Sequence, residues 1–329
     1  MASIFKGLLA AGALCVSLAT AQAGEVRLLA FGGATNVPIW IAQEKGLLEK
    51  EGVKLVFDLT NGSVPQFRDF YAGKYDVIST ALDNIVAYGE GQSDVPLPGT
   101  YDMFAFAGVH GGMNSLMVRP EIKSYADVKG KVVAVDALKS GYGIVLYQIL
   151  KDKGGLELDR DYKAISVGNT DKRVEAMKDN KAVAAIIGSP NDMAVEREGF
   201  RLMADAAQEL GAYQGSVLVT RRGFAQTNEA DLVALTRAMI AAQEMIFTDK
   251  ALTLSVMKKN LKGLTDADAE KLYMRMTSPG GFTRRAEMDM KGVATVLRIR
   301  ETYGEPIKKM GPVSRYVDLS IYDKALVKK

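Results

Sequence analysis

Small polar side chains and glycines follow the predicted strands of this chain at six places. Amides and hydroxyls make directional hydrogen bonds, glycines allow close backbone approach, and an aromatic ring can stack on a flat molecule. Any one such loop could simply cap the helix that follows it, but the recurrence at six strand ends favours a site for a small polar solute. The candidate ligand-binding residues are Asn36, Trp40, Gly62, Ser63, Thr80, Asp83 and Asn84, and further along the chain Asp136, Ser140, Gly141, Tyr142, Asn169, Ser189 and Asn191.

The same residues offer little for catalysis. The only cysteine, Cys15, and the only histidine, His110, exclude a Cys/His zinc site, a disulfide framework and a Cys–His dyad. The Gly-x-Gly that starts at Gly141 lacks the third glycine of a dinucleotide-binding fingerprint, and no P-loop lysine follows it. Asp83 and Asp136 could form a carboxylate pair, although capping or ligand-binding roles are favoured for both. We therefore predict no catalytic residue, no metal site and no cofactor.

A glycine-rich segment around His110 bridges two similar halves of the chain. Segments of small residues can absorb the backbone rotations of a hinge. Hinges are therefore expected at Gly111–Asn114 and at Tyr213–Val217. For His110 itself, a surface or hinge position is favoured over contact with a ligand.

Length and charge narrow the class of protein. The 329 residues are enough for two domains, and 48% hydrophobic residues can build large cores. The 42 lysines and arginines against 39 acidic residues leave a net charge of +3, which is too even for a nucleic-acid binder. We expect a monomer without a nucleic-acid partner.

The first 23 residues have the pattern of a cleavable signal peptide. Lys6 precedes an apolar run over residues 7–19, and Ala21-Gln22-Ala23 forms a small-residue cleavage site. The apolar run is too short to span a membrane, which takes about 20 residues; a buried N-terminal helix is the alternative. Leu14 precedes Cys15 where a lipoprotein signal has a small residue. We expect a mature chain that starts near Gly24 and is exported to the periplasm.

Strands and helices alternate along the first two thirds of the chain, which predicts two α/β units with parallel sheets between helices. The predicted strands are Glu25–Phe31, Val53–Leu59, Tyr75–Thr80, Val132–Asp136, Tyr162–Val167, Ala182–Ile187 and Arg201–Met203. One helix is predicted over Val37–Lys50. Beyond Glu229 the apolar period becomes 3.6, which predicts helices over Ala230–Phe247, Ala251–Asn260, Asp266–Met276 and Arg285–Tyr303, with Asn228 and Thr265 as N-caps of the first and third.

Five stretches resemble one known family. They are NVPIWIAQEKGLLEKEGV from Asn36, GKYDV from Gly73 with TALDN from Thr80, LMVRPEIKSYADVKGKVVAVD from Leu116, VGNTDKRVEAM from Val167 and AIIG from Ala185. They occur in the family's order and span most of the chain. They resemble the substrate-binding proteins of the nitrate/sulfonate/taurine type that serve ABC importers.

The resemblance implies an α/β, type II periplasmic-binding-protein fold with two lobes, a ligand cleft, a hinge and a helical C-terminal third. It implies a discontinuous first lobe of residues 24–111 and 214–329, and a second lobe of residues 112–213. The implied function is capture of a small polar organic solute (a sulfonate, a pyrimidine-like or an aromatic compound). Delivery would be to an inner-membrane ABC permease and its ATPase.

The ligand itself does not follow from the resemblance. Lys139 is the only basic residue in the predicted loops, which also contain Asp83 and Asp136. These residues favour a neutral or nitrogen-bearing flat ligand, although helix N-termini can bind anions without a basic side chain. Asp83 would accept a hydrogen bond from such a ligand, or would alternatively only cap the helix that begins at Asn84.

Two other functions stay open at this point. The chain could feed a signalling receptor rather than an importer, and nothing in the residues separates these two. It also resembles the thiamine-pyrimidine-synthase-like branch of enzymes, and this resemblance would imply a cofactor-bearing lysine and several histidines. The single histidine and the export signal favour a binding protein that is not an enzyme.

Overall fold

A computed structural model describes residues 24–327, so the predicted signal peptide lies outside the described residues. The described part contains two five-stranded sheets. Their strands are β1 Gly24–Ala30, β2 Val53–Leu59, β3 Val77–Ala81, β4 Met103–His110, β5 Asn114–Val118, β6 Val132–Val135, β7 Lys163–Ser166, β8 Ala184–Gly188, β9 Arg201–Asp205 and β10 Ser216–Arg221. The prediction of an α/β protein with two lobes is confirmed.

Each sheet contains three neighbouring parallel strands, then one antiparallel strand and a fifth strand at the edge. The first has the order β2-β1-β3-β10-β4, and the second has the order β7-β6-β8-β5-β9. β1 pairs in parallel with β2 and β3, whereas β10 runs antiparallel to β3 and β4. β6 pairs in parallel with β7 and β8, whereas β5 runs antiparallel to β8 and β9. The prediction of purely parallel sheets is therefore wrong, because the strands that carry the chain between lobes enter the neighbouring sheet in the opposite direction.

Helices cover the sheets, and most follow the sequence pattern. They are α1 Val37–Glu44, α2 Leu47–Glu51, α3 Ser63–Tyr71, α4 Leu82–Glu90, α5 Gly141–Gly154, α6 Thr170–Lys178, α7 Asn191–Arg197, α8 Ala206–Leu210, α9 Arg222–Thr227, α10 Glu229–Thr248, α11 Lys250–Asn260, α12 Asp266–Thr277, α13 Met290–Tyr303 and α14 Ser320–Leu326. The single helix predicted over Val37–Lys50 is two helices, because Gly46 takes a left-handed conformation with φ 61° between them.

The C-terminal helices pack on the first lobe as their apolar stripe predicts. In α10 the predicted stripe is buried, from Leu232 to Ile246. Thr265 accepts a hydrogen bond from the Asp268 amide at 3.1 Å, which confirms it as the N-cap of α12. Asn228 precedes α10, but its side-chain amide donates to the Phe224 carbonyl instead of capping the helix.

The chain crosses between the sheets twice, and the two crossings touch. One crossing links β4 to β5, and the other links α8 to β10. The Gly215 amide donates to the His110 carbonyl at 3.1 Å. A Cβ atom on Gly215 would lie 2.9 Å from the carbonyl carbon and oxygen of Gly111, so the contact of these backbones requires glycine. Both crossings fall in the segments predicted as hinges; their hinge motion stays a prediction.

We expect Gly215→Ala to destabilise the protein by about 1–3 kcal/mol, the usual cost of overpacking a close contact. Gly223→Ala is the matched control, because a Cβ atom there has nothing within 4 Å. Urea denaturation of both variants measures the difference. Equal midpoints for the two variants would contradict the backbone contact between the crossings.

Candidate functional site

A cavity lies between the two sheets, where the carboxyl ends of β1, β3, β6 and β8 face each other. The cavity has a volume of about 100 Å³, enough for a small solute. Both lobes line it. The lining residues are Phe31, Gly32, Ala34, Thr35, Ser79, Thr80, Ala81, Asn84, His110, Met113, Asn114, Asp136, Ser140, Gly141, Tyr142, Thr170, Arg173, Gly188, Ser189 and Ser216. The cavity therefore lies at the strand ends, where the loops of small polar residues are.

Half of the predicted ligand-binding residues line this cavity, namely Thr80, Asn84, Asp136, Ser140, Gly141, Tyr142 and Ser189. The other half do not, namely Asn36, Trp40, Gly62, Ser63, Asp83, Asn169 and Asn191. Asn36 is buried and donates to the Phe31 carbonyl at 2.8 Å, and Trp40 packs against the core of the first lobe. For the residues that line the cavity, contact with a ligand stays a prediction.

Several residues outside the cavity wall instead join the lobes. The Ser63 amide at the start of α3 donates to the Asp136 carboxylate at 3.2 Å. The Asn169 amide donates to the Asn61 carbonyl at 3.1 Å. Two pairs of cavity-wall residues do the same. The Gly141 amide donates to the Asn84 side-chain oxygen at 3.0 Å, and the Ala34 amide donates to the Ser189 carbonyl at 3.0 Å. The loops of the two lobes thus meet around the cavity, and the cleft is closed.

Asp83 belongs to a buried ion pair and not to the cavity wall. Arg300 of α13 donates from Nε to Asp83 Oδ1 at 2.8 Å and from Nη2 to Oδ2. Both side chains are almost fully buried. The same Nη2 donates to the Lys139 carbonyl at 2.6 Å. The capping alternative is also wrong, because α4 begins at Leu82 and has no side-chain cap.

Arg173 is the cavity residue that the sequence analysis missed. It lies on α6, is 7% exposed and lines the cavity. Its Nε donates to the Ile186 carbonyl and Nη1 to the Gly168 carbonyl, both at 2.9 Å, and Nη2 donates to the Thr170 hydroxyl at 3.0 Å. Within residues 24–327 its guanidinium donates only to these neutral acceptors and forms no ion pair. Burial lowers the pKa of Arg173, and the nearby Asp136 opposes that shift.

A signal for Arg173 was present in the sequence. Lys139 is the only basic residue of the predicted loops, whereas Arg173 lies one turn into the helix that opens after Asn169. Side chains three and four positions apart share a helix face, so Thr170 and Arg173 point the same way. Counting the first turn of each helix as part of the loop would have included this arginine.

His110 lies at the end of β4, is 6% exposed and lines the cavity. The surface alternative for His110 is therefore wrong, whereas the hinge alternative, next to the crossing at Gly111, stays a prediction. Burial lowers its pKa to about 4, and the positive charge of Arg275 adds to this shift. The imidazole is accordingly neutral at pH 7, and its Nδ1 has no hydrogen-bond partner among the described residues.

Comparison with known proteins identifies the class and the family. The architecture is the type II periplasmic-binding-protein fold, as the resemblance implied. A family model described as NMT1/THI5 like matches residues 34–250, and the chain belongs to this family. No curated protein sequence matches the chain. No helix of residues 24–327 is long and apolar enough to cross a membrane.

Solved structures share the fold. The periplasmic nitrate-binding protein NrtA from Synechocystis PCC 6803 has a TM-score of 0.75 at 15% identity, covering 92% of this chain and 88% of that one. A ligand-binding component of an ABC-type import system from Staphylococcus aureus, with zinc bound, has a TM-score of 0.74 at 12% identity, covering 92% and 99%. The alkanesulfonate-binding protein SsuA from Xanthomonas axonopodis pv. citri, bound to MOPS, has a TM-score of 0.67 at 18% identity, covering 86% and 91%.

We expect Asp83→Asn to lower stability by about 3–5 kcal/mol, because Arg300 would keep a buried charge without its carboxylate. Asp179→Asn is the control, since Asp179 pairs with Lys181 on the surface and should cost less than about 1 kcal/mol. Urea denaturation measures both. If Asp83→Asn keeps wild-type stability but loses ligand affinity, the structural role is contradicted and Asp83 contacts the ligand.

The depressed pKa of His110 predicts a specific loss of stability in acid. His110 takes up a proton below about pH 6.5 in the unfolded chain but only near pH 4 in the folded chain. Protonation therefore favours the unfolded chain between these values, and the free energy of unfolding falls as pH decreases from 6.5 towards 4. At about 1.4 kcal/mol per pKa unit, the wild type should lose roughly 2–3 kcal/mol more than His110→Gln between pH 7.5 and 4.5. Urea denaturation at the two pH values checks this. Parallel losses in both proteins would show that His110 is not held neutral.

Proposed function

We propose that this chain is the extracytoplasmic solute-binding component of an ABC importer. The observation that carries the proposal is the cavity enclosed between two lobes, with Arg173 facing it without a carboxylate partner. Family membership and a fold shared with nitrate-, alkanesulfonate- and ABC-import ligand-binding proteins support it. The signal-peptide pattern of residues 1–23 supports a periplasmic location.

Binding between the lobes would give the protein different conformations with and without its solute. A solute that contacts both lobes binds the closed arrangement better than an open one, and so shifts the population towards closure. The lobe-to-lobe bonds at Asp136 and Asn84 form only when the loops meet. A permease and its ATPase would then distinguish loaded from unloaded protein by the relative position of the lobes.

The proposed function is capture without chemical conversion. His110 is the only histidine of the sequence, and a pKa of about 4 makes it a weak base at neutral pH. The polar groups of the cavity are suited to hydrogen bonding. Asn84 and Ser140, for example, are buried and already hydrogen-bonded in the wall.

Binding and closure can be tested together on the chain from Gly24 onwards. A thermal-shift screen with organic acids, amino acids, sulfonates, nitrate and pyrimidines should identify a stabilising solute, since a ligand at 100 times its Kd adds about 2.7 kcal/mol. Small-angle scattering should then show a smaller radius of gyration at saturation. The NMR spectrum of the solute released from the protein should match that of the solute added.

Three results would count against the proposal. An unchanged radius of gyration at saturation would contradict closure of the lobes. A converted solute would indicate an enzyme. A screen in which no compound raises the melting temperature would contradict solute capture itself.

A further inference from the structure

The charges that face the cavity narrow the class of solute, on the basis of the proposed function. We propose that the solute is a small organic acid that also carries a nitrogen-borne hydrogen-bond donor. Its acidic group pairs with Arg173, and its donor faces Asp136.

Arg173 is fixed in position but not neutralised. Three of its five N–H groups are used by the carbonyls of Ile186 and Gly168 and by the Thr170 hydroxyl. These neutral acceptors hold the guanidinium plane in place, while no carboxylate of residues 24–327 pairs with it. A buried charge without a counter-ion is costly. A ligand acid that takes the two remaining N–H groups would compensate the charge in a preset geometry.

Asp136 supplies the opposite pole of the same cavity. It directly follows β6 and is half-buried. Within the described chain its carboxylate accepts only from the Ser63 amide, at 3.2 and 3.4 Å, and forms no ion pair. Asp136 and Arg173 are close enough for Asp136 to oppose the lowered pKa of Arg173, yet they are not in ion-pair contact. Both charges therefore line the same cavity from the second lobe, where Gly168 donates to the Asp136 carbonyl and accepts from Arg173, without pairing with each other.

A ligand must satisfy both poles at once. A simple inorganic anion would pair with Arg173 but would be repelled by Asp136, and an amine without an acid would meet the reverse problem. A neutral ring would leave Arg173 buried without a counter-ion. A dipolar molecule compensates both charges, and Phe31, Ala34, Ala81 and Met113 of the wall suit a short hydrocarbon skeleton between its ends.

Asp136 also links recognition to closure. Its carboxylate belongs to the second lobe, and the Ser63 amide that it accepts opens α3 of the first lobe. A donor on the ligand would share this carboxylate with the Ser63 amide. The same side chain would thus bind the solute and help to hold the lobes together.

Two matched sets of probes test the proposal by titration calorimetry. The linear set is β-alanine, propionate and propylamine, and the flat set is 4-aminobenzoate, benzoate and aniline. In at least one set, the compound that carries both groups should bind about tenfold or more tightly than either single-group analogue. Arg173→Gln should weaken that compound by about 10- to 100-fold, and Asp136→Asn should reduce its affinity to that of the plain acid.

Controls separate recognition from folding. Arg160→Gln and Asp179→Asn change exposed residues that form surface ion pairs and should bind like the wild type. Arg173→Lys keeps the charge and should recover part of the affinity that Arg173→Gln loses. Circular dichroism confirms that each variant is folded.

The proposal is overturned if the plain acid binds as tightly as the compound with both groups, or if the amine binds tightest. It is also overturned if uracil or nitrate binds and compacts the protein while none of the six probes competes; solute capture would then stand without this ligand class. If no compound binds the wild type, solute capture itself is contradicted.

Discussion

Burying a guanidinium costs free energy unless hydrogen-bond acceptors and a counter-ion compensate its charge. Three buried arginines near the contact between the lobes satisfy this constraint in different ways. Arg300 is fully buried and is paired with Asp83. Arg275 is mostly buried and pairs with Asp192 and Asp205, at 2.5 and 2.8 Å. Arg173 is buried with hydrogen-bond acceptors but no carboxylate. The first two arginines are compensated by the protein itself, and the third faces the cavity. Arg300 and Arg275 thus have carboxylate partners within the protein, whereas Arg173 lines the candidate site without one.

The two compensated arginines hold different parts of the lobe contact. Arg300 comes from the C-terminal third, and its bond to the Lys139 carbonyl holds the loop that leads to Ser140 and Gly141. Arg275 lies on α12, and besides its two carboxylates it donates to the Asn114 carbonyl at 3.0 Å, next to the first chain crossing. The late helices therefore act at both the cleft and the crossings. Both arginines lie in the mostly helical part of the chain that follows β10.

The sequence predicted what depends on local pattern and missed what depends on distant partners. Strand–helix alternation and the loops after strands located the cavity, because parallel strands place their carboxyl ends at one edge. β4 was not among the predicted strands, and all eight of its positions are buried. The pairing of Asp83 could not be read locally, since Arg300 lies 217 residues away. Arg173 was accessible to local reasoning, but only when the first helical turn counts as part of the loop.

Asp83 and Asp136 show why charge in a cleft cannot be counted from loops alone. Both follow a strand of their lobe and both were candidates for the same role, yet Arg300 neutralises the first and leaves the second facing the cavity. The proposal of a nitrogen-bearing ligand therefore rests on Asp136 and not on Asp83. Arg173 supports an acidic group on the same ligand, which the residues of the loops did not indicate. Closure around a solute without an acid would bury Arg173 uncompensated, whereas closure around an acid would pair it. Because a ligand shifts an equilibrium only by its differential affinity for the two states, the charge that selects the solute would also determine how far it drives the lobes together.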